Sequence, residues 1–305
     1  MRPSGMGEFA SGPTTICLGD RDVCRLGFGA MQLPGPMVWG EPKDPDQARA
    51  VLRRAVALGI NLIDTSWYYG PHVANRLIVE ALHPYPSYLV IATKLGGRRT
   101  EDKGWAASLR PDELRVGCEE DLRSLKLEQI HMTHLRWIAS AGVPFAESLD
   151  AMISLQREGK IRHLAVSNVT FAQLEVAVAK TPIVSVQNLY NVAAGAGKLR
   201  GFPHAVVDEQ ELVVDFCAVR RIAFLPFFPL ALPGPPRETP SVLVAIAERH
   251  KVSVAQIAIA WLLARASTML PIPGTSSLAH LDENWNARRV ELTPNDFSAI
   301  ADARQ

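Results

Sequence analysis

Three shortages narrow the reading before any residue is given a role. Cysteine is scarce: Cys17, Cys24, Cys118 and Cys217 are the four in 305 residues, and none forms a C-x-x-C pair. A disulfide framework or thiolate metal site is therefore not the organising principle; the four read as reduced thiols of a cytoplasmic protein, although Cys17 and Cys24 could face each other across a hairpin. Long apolar runs are also missing. None reaches the roughly 18 residues of a membrane span, and residues 1–13, rich in Gly, Ser and Pro, lack the apolar centre of a signal peptide and read as a flexible tail. Neither charge is in excess. The 32 Lys and Arg stand against 31 Asp and Glu, which leaves no basic footprint for nucleic acid and no acidic tail. No His, Cys and carboxylate grouping has metal-ligand spacing, so no metal is expected. No G-x-G-x-x-G follows an early strand, which weakens a doubly wound dinucleotide fold.

What is present is a regular alternation. Short apolar runs at 26–30, 62–63, 89–93, 130–135, 163–167, 184–187, 223–226 and 268–270 are separated by amphipathic stretches, including helical patterns at 45–58 and 72–82. Eight such runs with helices between them predict a parallel (β/α)8 TIM barrel over residues 14–305, a single domain. Ahead of it, Gly19-Asp20 between two apolar runs signals a β-hairpin. Three longer insertions, 35–46, 96–111 and 191–208, carry Gly, Pro, charges and the lone Trp39 and Trp105. Loops of that length at the active end of a barrel commonly shape a pocket.

The chain is organised around Gly59-Ile-Asn-Leu-Ile-Asp-Thr-Ser-Trp-Tyr-Tyr-Gly70. It reads as a short buried strand that hands Asp64, Trp67, Tyr68 and Tyr69 to a loop, at the strand end where chemistry collects in repeated strand–helix folds. Asp64 alone is ordinary turn chemistry. Lys94, which ends the next apolar run, changes the balance. An Asp, a Tyr and a Lys at neighbouring strand exits can form a buried ion pair beside a phenol. A nearby ammonium then favours phenolate, predicting a Tyr pKa lowered towards neutrality and a general acid for a carbonyl oxygen.

Asp64 with Tyr69-Gly70, Ala-Thr-Lys94, Gly159-Lys-Ile-Arg-His-Leu-Ala-Val-Ser-Asn168, Gln187-Asn188 and Ile272-Pro-Gly-Thr275 together resemble the aldo-keto reductase family, in the family's order and over nearly the whole chain. Gly29-Ala-Met-Gln-Leu33, Tyr69-Gly-Pro-His-Val73, Glu80-Ala-Leu-His-Pro-Tyr-Pro86, Leu135-Arg136, Pro226-Phe-Phe-Pro-Leu230 and Pro273-Gly-Thr-Ser-Ser277 resemble its bacterial branch of pyridoxal reductase-like proteins. The resemblance implies that the hairpin closes the barrel bottom. It also implies a nicotinamide cofactor, NADPH by analogy with the branch and NADH as the other candidate, and an aldehyde or ketone substrate such as pyridoxal or another aromatic aldehyde.

One position departs from the family. His131-Met-Thr-His-Leu-Arg136-Trp137 aligns with the segment that normally ends in a catalytic His, and Arg136 stands there. Arg136 cannot give and recover a proton near neutral pH, but it offers fixed donors and a permanent charge for a carbonyl oxygen or an anionic substituent. His134, two residues earlier, points to the same face one layer deeper and reads as a core residue with a satisfied hydrogen bond.

By resemblance, Ser167, Asn168 and Gln187 hold the nicotinamide carboxamide, Phe227 stacks on its face, Ala30 and Met31 let the ligand approach the backbone, and Pro229, Leu230 and Ala231 run under the pyrophosphate. Gly274, Thr275, Ser276 and Ser277 precede a helix at 280–286 and offer amides and hydroxyls to phosphate. Many relatives have Lys at the place of Gly274 and Arg at that of His280. Glu283 and Asn284 match adenine contacts. Trp39, Trp67, Tyr68, Trp105 and Phe228 would form a flat pocket for an aromatic ring. The implied reaction is hydride transfer to the carbonyl carbon with Tyr69 as acid, tuned by Lys94 and Asp64. Two rivals stay open: a biosynthetic or isomerase-like reaction on a tailored metabolite, and a nicotinamide-sensing regulatory protein.

Overall fold

The computed structural model describes residues 9–139, 142–192, 205–206, 208–230 and 240–304. Its first element is the hairpin of β1 (Thr15–Leu18) and β2 (Arg21–Cys24), antiparallel in register Thr15 to Cys24 and Leu18 to Arg21. Gly19, at φ 70°, takes the left-handed conformation of the two-residue turn, which glycine adopts without steric penalty. The register sets Cys17 opposite Asp22, not Cys24, and all four cysteines are free.

The main sheet has seven parallel strands in the order β11-β10-β9-β8-β5-β4-β3. These are β3 (Phe28–Gly29), β4 (Leu62–Asp64), β5 (Val90–Leu95), β8 (Ile130–Arg136), β9 (Ile161–Ser167), β10 (Ile183–Gln187) and β11 (Ala223–Phe224). A separate antiparallel ribbon joins β6 (Gly97–Arg99) to β7 (Trp105–Ala107). The helices between them include α1 (Pro45–Leu58), α2 (Val73–Leu82), α3 (Pro111–Leu125), α4 (Phe145–Arg157), α5 (Phe171–Lys180) and α6 (Gln210–Arg220). After β11 come α7 (Ser241–His250), α8 (Val254–Arg265), α9 (Leu278–Asn286) and α10 (Pro294–Ala303). Among the described residues no helix is long and apolar enough to cross a membrane.

Local chemistry sets the boundaries. Asp44 caps α1 by accepting the Gln47 amide at 2.9 Å, Pro45 fills the first turn, and Gly59 at φ 101° ends the helix. Expected helix 72–82 begins at Val73, because His72 is its left-handed cap. The first strand is shorter than expected. It stops at Gly29, and Ala30–Gln32 turn into a 3-10 helix.

The eighth run is not a regular strand. It makes one bridge, Phe224 to Met269, yet it lies between both edges of the sheet. On one side the Phe224 amide donates to Thr268 at 2.9 Å and the Leu270 amide to Phe224 at 2.8 Å; on the other, Gly27 donates to Pro271 at 2.9 Å and Gly29 to Pro273 at 3.4 Å. Pro271 and Pro273 carry no N–H, so the run can accept from β3 but cannot complete a ladder.

The inward side chains Leu62, Val90, Ala92, Met132, Ala165, Ala223, Leu225, Leu270 and Ile272 form one buried cluster with Leu18 and Val23 of the hairpin. The hairpin is also tied by the Cys24 amide to Asn61 Oδ1 at 2.7 Å. Arg25 is fully buried and pairs with no carboxylate among the described residues; its guanidinium donates to the carbonyls of Ser11, Pro13, Leu263, Ala266 and Met269. Those bonds hold residues 11 and 13 of the N-terminal stretch against the segment before the eighth run. Satisfying the donors is what makes so buried a charge tolerable.

Candidate active site

The carboxyl ends of the strands converge on a cavity of about 620 Å³. Asp64, the last residue of β4, is buried at 3% exposure and paired with Lys94 of β5, whose Nζ also donates to the Thr65 carbonyl at 3.2 Å. The second carboxylate oxygen accepts from Gln187 Nε2 at 2.9 Å. Gln187, expected to hold a carboxamide, is thus also the clamp that fixes Asp64. Lys94 Nζ lies 5.0 Å from the Tyr69 ring centroid. Tyr69 itself is 6% exposed and faces the cavity with Arg136, the final residue of β8.

The phenol departs from expectation. Its pKa is raised, not lowered: burial disfavours phenolate most, Asp64 adds to that, and Arg136 opposes them. Lys94 is neutralised by its carboxylate partner and so has little field left to act on the phenol. Tyr69 is held protonated, the form an acid needs to donate. Tyr68 beside it has its hydroxyl buried and its pKa likewise raised by burial.

Arg136 donates to Ser167 Oγ at 3.3 Å, and its guanidinium carbon lies 5.0 Å from the Phe227 ring centroid. It therefore presents a fixed cation beside a flat aromatic face. His134 lies deeper in the interior, fully buried, with Nε2 3.1 Å from Ser185 Oγ. Burial presses its pKa down to about 4, so it stays neutral. Sequence reasoning missed Asp121 of α3, also fully buried. Its Oδ1 accepts from Asn75, which in turn accepts from Thr65, and burial pushes its pKa up to about 7. An Asp inside an amphipathic helix carries no sign of this in one sequence.

These two groups oppose each other in pH dependence. A His with a folded pKa of about 4, against about 6.5 unfolded, is protonated only in the unfolded chain between those values, so its share of stability rises with pH there. Asp121, at about 7 against roughly 3.9 unfolded, is protonated only in the fold across that window, so its share falls as pH rises. Denaturant titrations from pH 4 to 8 should show this directly. His134→Gln leaves a stability that falls with pH and Asp121→Asn one that rises, each by about 3–4 kcal/mol; like slopes in both variants would contradict the assignment.

Of the expected cofactor residues, Met31, Asn168, Gln187, Phe227, Pro229, Leu230 and Gly274 line the cavity. Asn168 is already engaged. Its Nδ2 donates to the Trp137 carbonyl and its Oδ1 accepts the Val206 amide, both at 2.8 Å. Ala30 and Ser167 are buried and do not line the cavity, although Ser167 accepts a hydrogen bond from Arg136, which does. Thr275 Oγ1 accepts the Ser277 amide at 3.0 Å and Ser277 Oγ caps α9 by accepting the His280 amide at 3.4 Å. His280 and Glu283 are exposed, Asn284 is buried, and Ala231 lies outside the described residues. An adjoining cavity of about 1140 Å³ shares Met31, Gln32 and Trp105 with the first and reaches Ser276.

Of the expected substrate residues, Tyr68, Trp105 and Phe228 line the cavity and two do not. Trp67 turns instead towards α3, where a Cβ on Gly117 would come within 3.0 Å of its indole nitrogen. Trp39 stacks on Arg99, with the guanidinium carbon 5.3 Å from its ring and 4.1 Å from that of Trp105. Arg99 also donates to Val38 at 2.8 Å, Met37 at 3.1 Å and Gly104 at 3.0 Å, and so pins the first two long loops to each other beside the cavity. The two lone tryptophans were its only trace in the sequence. Most of the third loop lies outside the described residues. Phe228 has φ 51°, an unfavourable conformation for a bulky residue of the kind that clusters at ligand sites.

Comparison with known proteins places the chain. The chain is 41% identical over 291 residues to pyridoxine 4-dehydrogenase of Escherichia coli, covering 94% of this chain and 96% of the relative. Among solved structures, the thermostable aldo-keto reductase Tm1743 in complex with epalrestat superposes with a TM-score of 0.77 at 26% identity, over 94% of this chain and 98% of the other. An aldo/keto reductase from Klebsiella pneumoniae with NADP and acetate gives 0.73 at 24%, over 95% of each chain, and shows the shared fold. Residues 25–305 match the Aldo/keto reductase family. The chain, with its parallel sheet and buried Asp64–Lys94 pair beneath Tyr69, belongs to the aldo/keto reductase family.

Proposed function

We propose that this protein reduces an aldehyde or ketone to the alcohol with NADPH, Tyr69 acting as the general acid. The observation that carries the reading is the cavity floor, where a protonated tyrosine and a fixed arginine face the same space above a buried ion pair. The finer architecture belongs to the same proposal: an eight-stranded (β/α)8 barrel floored by the hairpin, with long loops around the site.

The residues present fit a nicotinamide dinucleotide. Phe227 offers a flat face and Gln187 an amide, and the two adjoining cavities give room from Tyr69 to Ser276 next to the start of α9. When bound, the reduced nicotinamide supplies a hydride to the carbonyl carbon. Tyr69 gives its phenolic proton to the carbonyl oxygen as that bond forms, and regains one from solvent afterwards. Arg136 stabilises negative charge on the oxygen, a contribution worth several kcal/mol when the donor is fixed in place. Lys94 and Gln187 hold Asp64, and the trio fixes the wall against which the phenol packs. Gly274 has no side chain to offer a 2′-phosphate and His280 stands where many relatives have Arg, so the hydroxyls of Thr275, Ser276 and Ser277 and the imidazole of His280 are the groups proposed to recognise it.

The aromatic walls Tyr68, Trp105, Phe227 and Phe228 suit a flat ring, and the pyridoxine 4-dehydrogenase relative points the same way, so pyridoxal or another aromatic aldehyde is the proposed substrate class. The test is NADPH consumption over an aldehyde panel that includes pyridoxal. Aromatic aldehydes should be turned over with the highest kcat/KM; NADPH binding without reduction of any carbonyl would favour the biosynthetic rival.

Arg99 gives a separate check. Arg99→Ala frees both loops from each other and should raise the aldehyde KM by roughly tenfold with a smaller change in kcat. Arg99→Lys should not restore it, since an ammonium cannot reproduce the planar fork. Unchanged steady-state constants would show that the loops hold without the clamp.

A further inference from the structure

The opposite end of the sheet carries a cluster that the reaction does not use. Asp20 comes from the hairpin turn, His131 from the start of β8 and His163 from the start of β9, residues far apart in sequence that the fold brings together. One ligating atom of each lies within 4.8 Å of the others. His163 Nε2 is 2.7 Å and His131 Nε2 3.8 Å from the same oxygen, Asp20 Oδ1. The other Asp20 oxygen is taken by Arg162. His131 Nε2 also lies 3.2 Å from the Leu18 carbonyl oxygen.

We propose that Asp20, His131 and His163 form a binding site for a divalent cation of the Zn²⁺ class. Two imidazoles and one carboxylate are a donor set that first-row divalent ions take, with solvent completing the coordination. A cation about 2.0–2.2 Å from each donor needs the ligating atoms no more than about 4 Å apart, and the present atoms lie within 4.8 Å of one another. Arg162 occupies one carboxylate oxygen and leaves the other turned to both rings, the outer partner that orients a ligating carboxylate. The turn is built for the approach: a Cβ on Gly19 would fall 2.4 Å from the His163 ring, so glycine lets the imidazole close on Asp20. Both rings keep partial exposure, 14% and 21% of their side chains, and so a path for an ion. A bound ion would fasten the hairpin to the first residues of β8 and β9.

The test uses the full chain, freed of metal by chelator dialysis and titrated with Co²⁺ as a visible probe and then with Zn²⁺. The proposal expects one Co²⁺ per chain with ligand-field absorption that Zn²⁺ abolishes, and a thermal midpoint that rises with Zn²⁺ concentration, as binding to the folded state requires. His163→Gln and Asp20→Asn should each weaken binding well beyond tenfold, since changes to outer partners alone reach about 10–100-fold. Both should leave carbonyl reduction intact, because the cluster lies at the other end of the strands. His131→Gln, on a different strand, serves if either variant fails to fold, and His250→Gln, away from the cluster, should bind like the parent. No Co²⁺ absorption at micromolar protein, or absorption that survives these substitutions, overturns the proposal and leaves the trio as a hydrogen-bonded tie.

Discussion

Tyr69→Phe should lower kcat for aldehyde reduction by about 10²–10⁴-fold, the range that a positioned general acid supplies. The substitution removes one oxygen and keeps the ring, so the cavity wall and the Lys94 contact at 5.0 Å persist. NADPH affinity, read by fluorescence quenching, should change little, because the lost atom faces the reacting oxygen and not the dinucleotide. The residual rate would come from proximity and from Arg136, whose fixed charge still stabilises the oxygen. Arg136→Gln then makes a useful partner: it should lower both kcat and kcat/KM, the pattern of an interaction made in the transition state. A Tyr69→Phe enzyme that kept most of its turnover would mean that the proton comes from another donor. A regulatory protein, in contrast, should keep its effect in this variant.

The second large effect is on stability. Lys94→Met is expected to destabilise the fold by about 3–5 kcal/mol, because it strands the Asp64 carboxylate at 3% exposure with Gln187 as its remaining side-chain partner. Asp64→Asn should cost a comparable amount by stranding the ammonium. The double variant Asp64→Asn/Lys94→Met removes both charges together and should be less destabilised than the sum of the two, by about 2 kcal/mol or more. Denaturant unfolding of the four proteins measures this coupling. Additive losses would mean that the pair contributes nothing as a pair. Activity should fall in all three variants, since the wall behind the phenol loosens in each.

Much of this arrangement was legible in the chain, for reasons that can be named. Seven of eight strand runs emerged because buried parallel strands are short apolar runs between turn residues. The eighth resisted because Pro271 and Pro273 remove the donors a ladder needs while the run still fills the gap between the sheet edges. Asp64, Tyr69 and Lys94 were singled out together because each ends or follows a strand run, which is local information, whereas Arg136 was singled out through the resemblance, at the place of the family's His. The direction of the Tyr69 shift was not local. It depends on how much water the fold excludes and on Lys94 already being neutralised, and both are properties of the assembled interior. Gln187 was placed at a strand exit, but its bond to Asp64 joins residues 123 positions apart. Arg99 and Asp121 were missed for the same reason: an arginine in a polar loop and an aspartate in an amphipathic helix look ordinary until their partners are known. Trp67 shows the converse, an aromatic beside the right motif that the small Gly117 draws to the outside of the sheet.

The central claim is that Tyr69 meets the reacting oxygen where nicotinamide and carbonyl lie together, and a crystal structure with NADP⁺ and an unreactive carbonyl analogue tests it most directly. The account predicts the nicotinamide ring against Phe227 and the analogue's oxygen within about 2.6–3.2 Å of the Tyr69 hydroxyl, with Arg136 on the same oxygen. A nucleotide bound away from this cavity, or an oxygen that neither Tyr69 nor a single bridging water reaches, would contradict it.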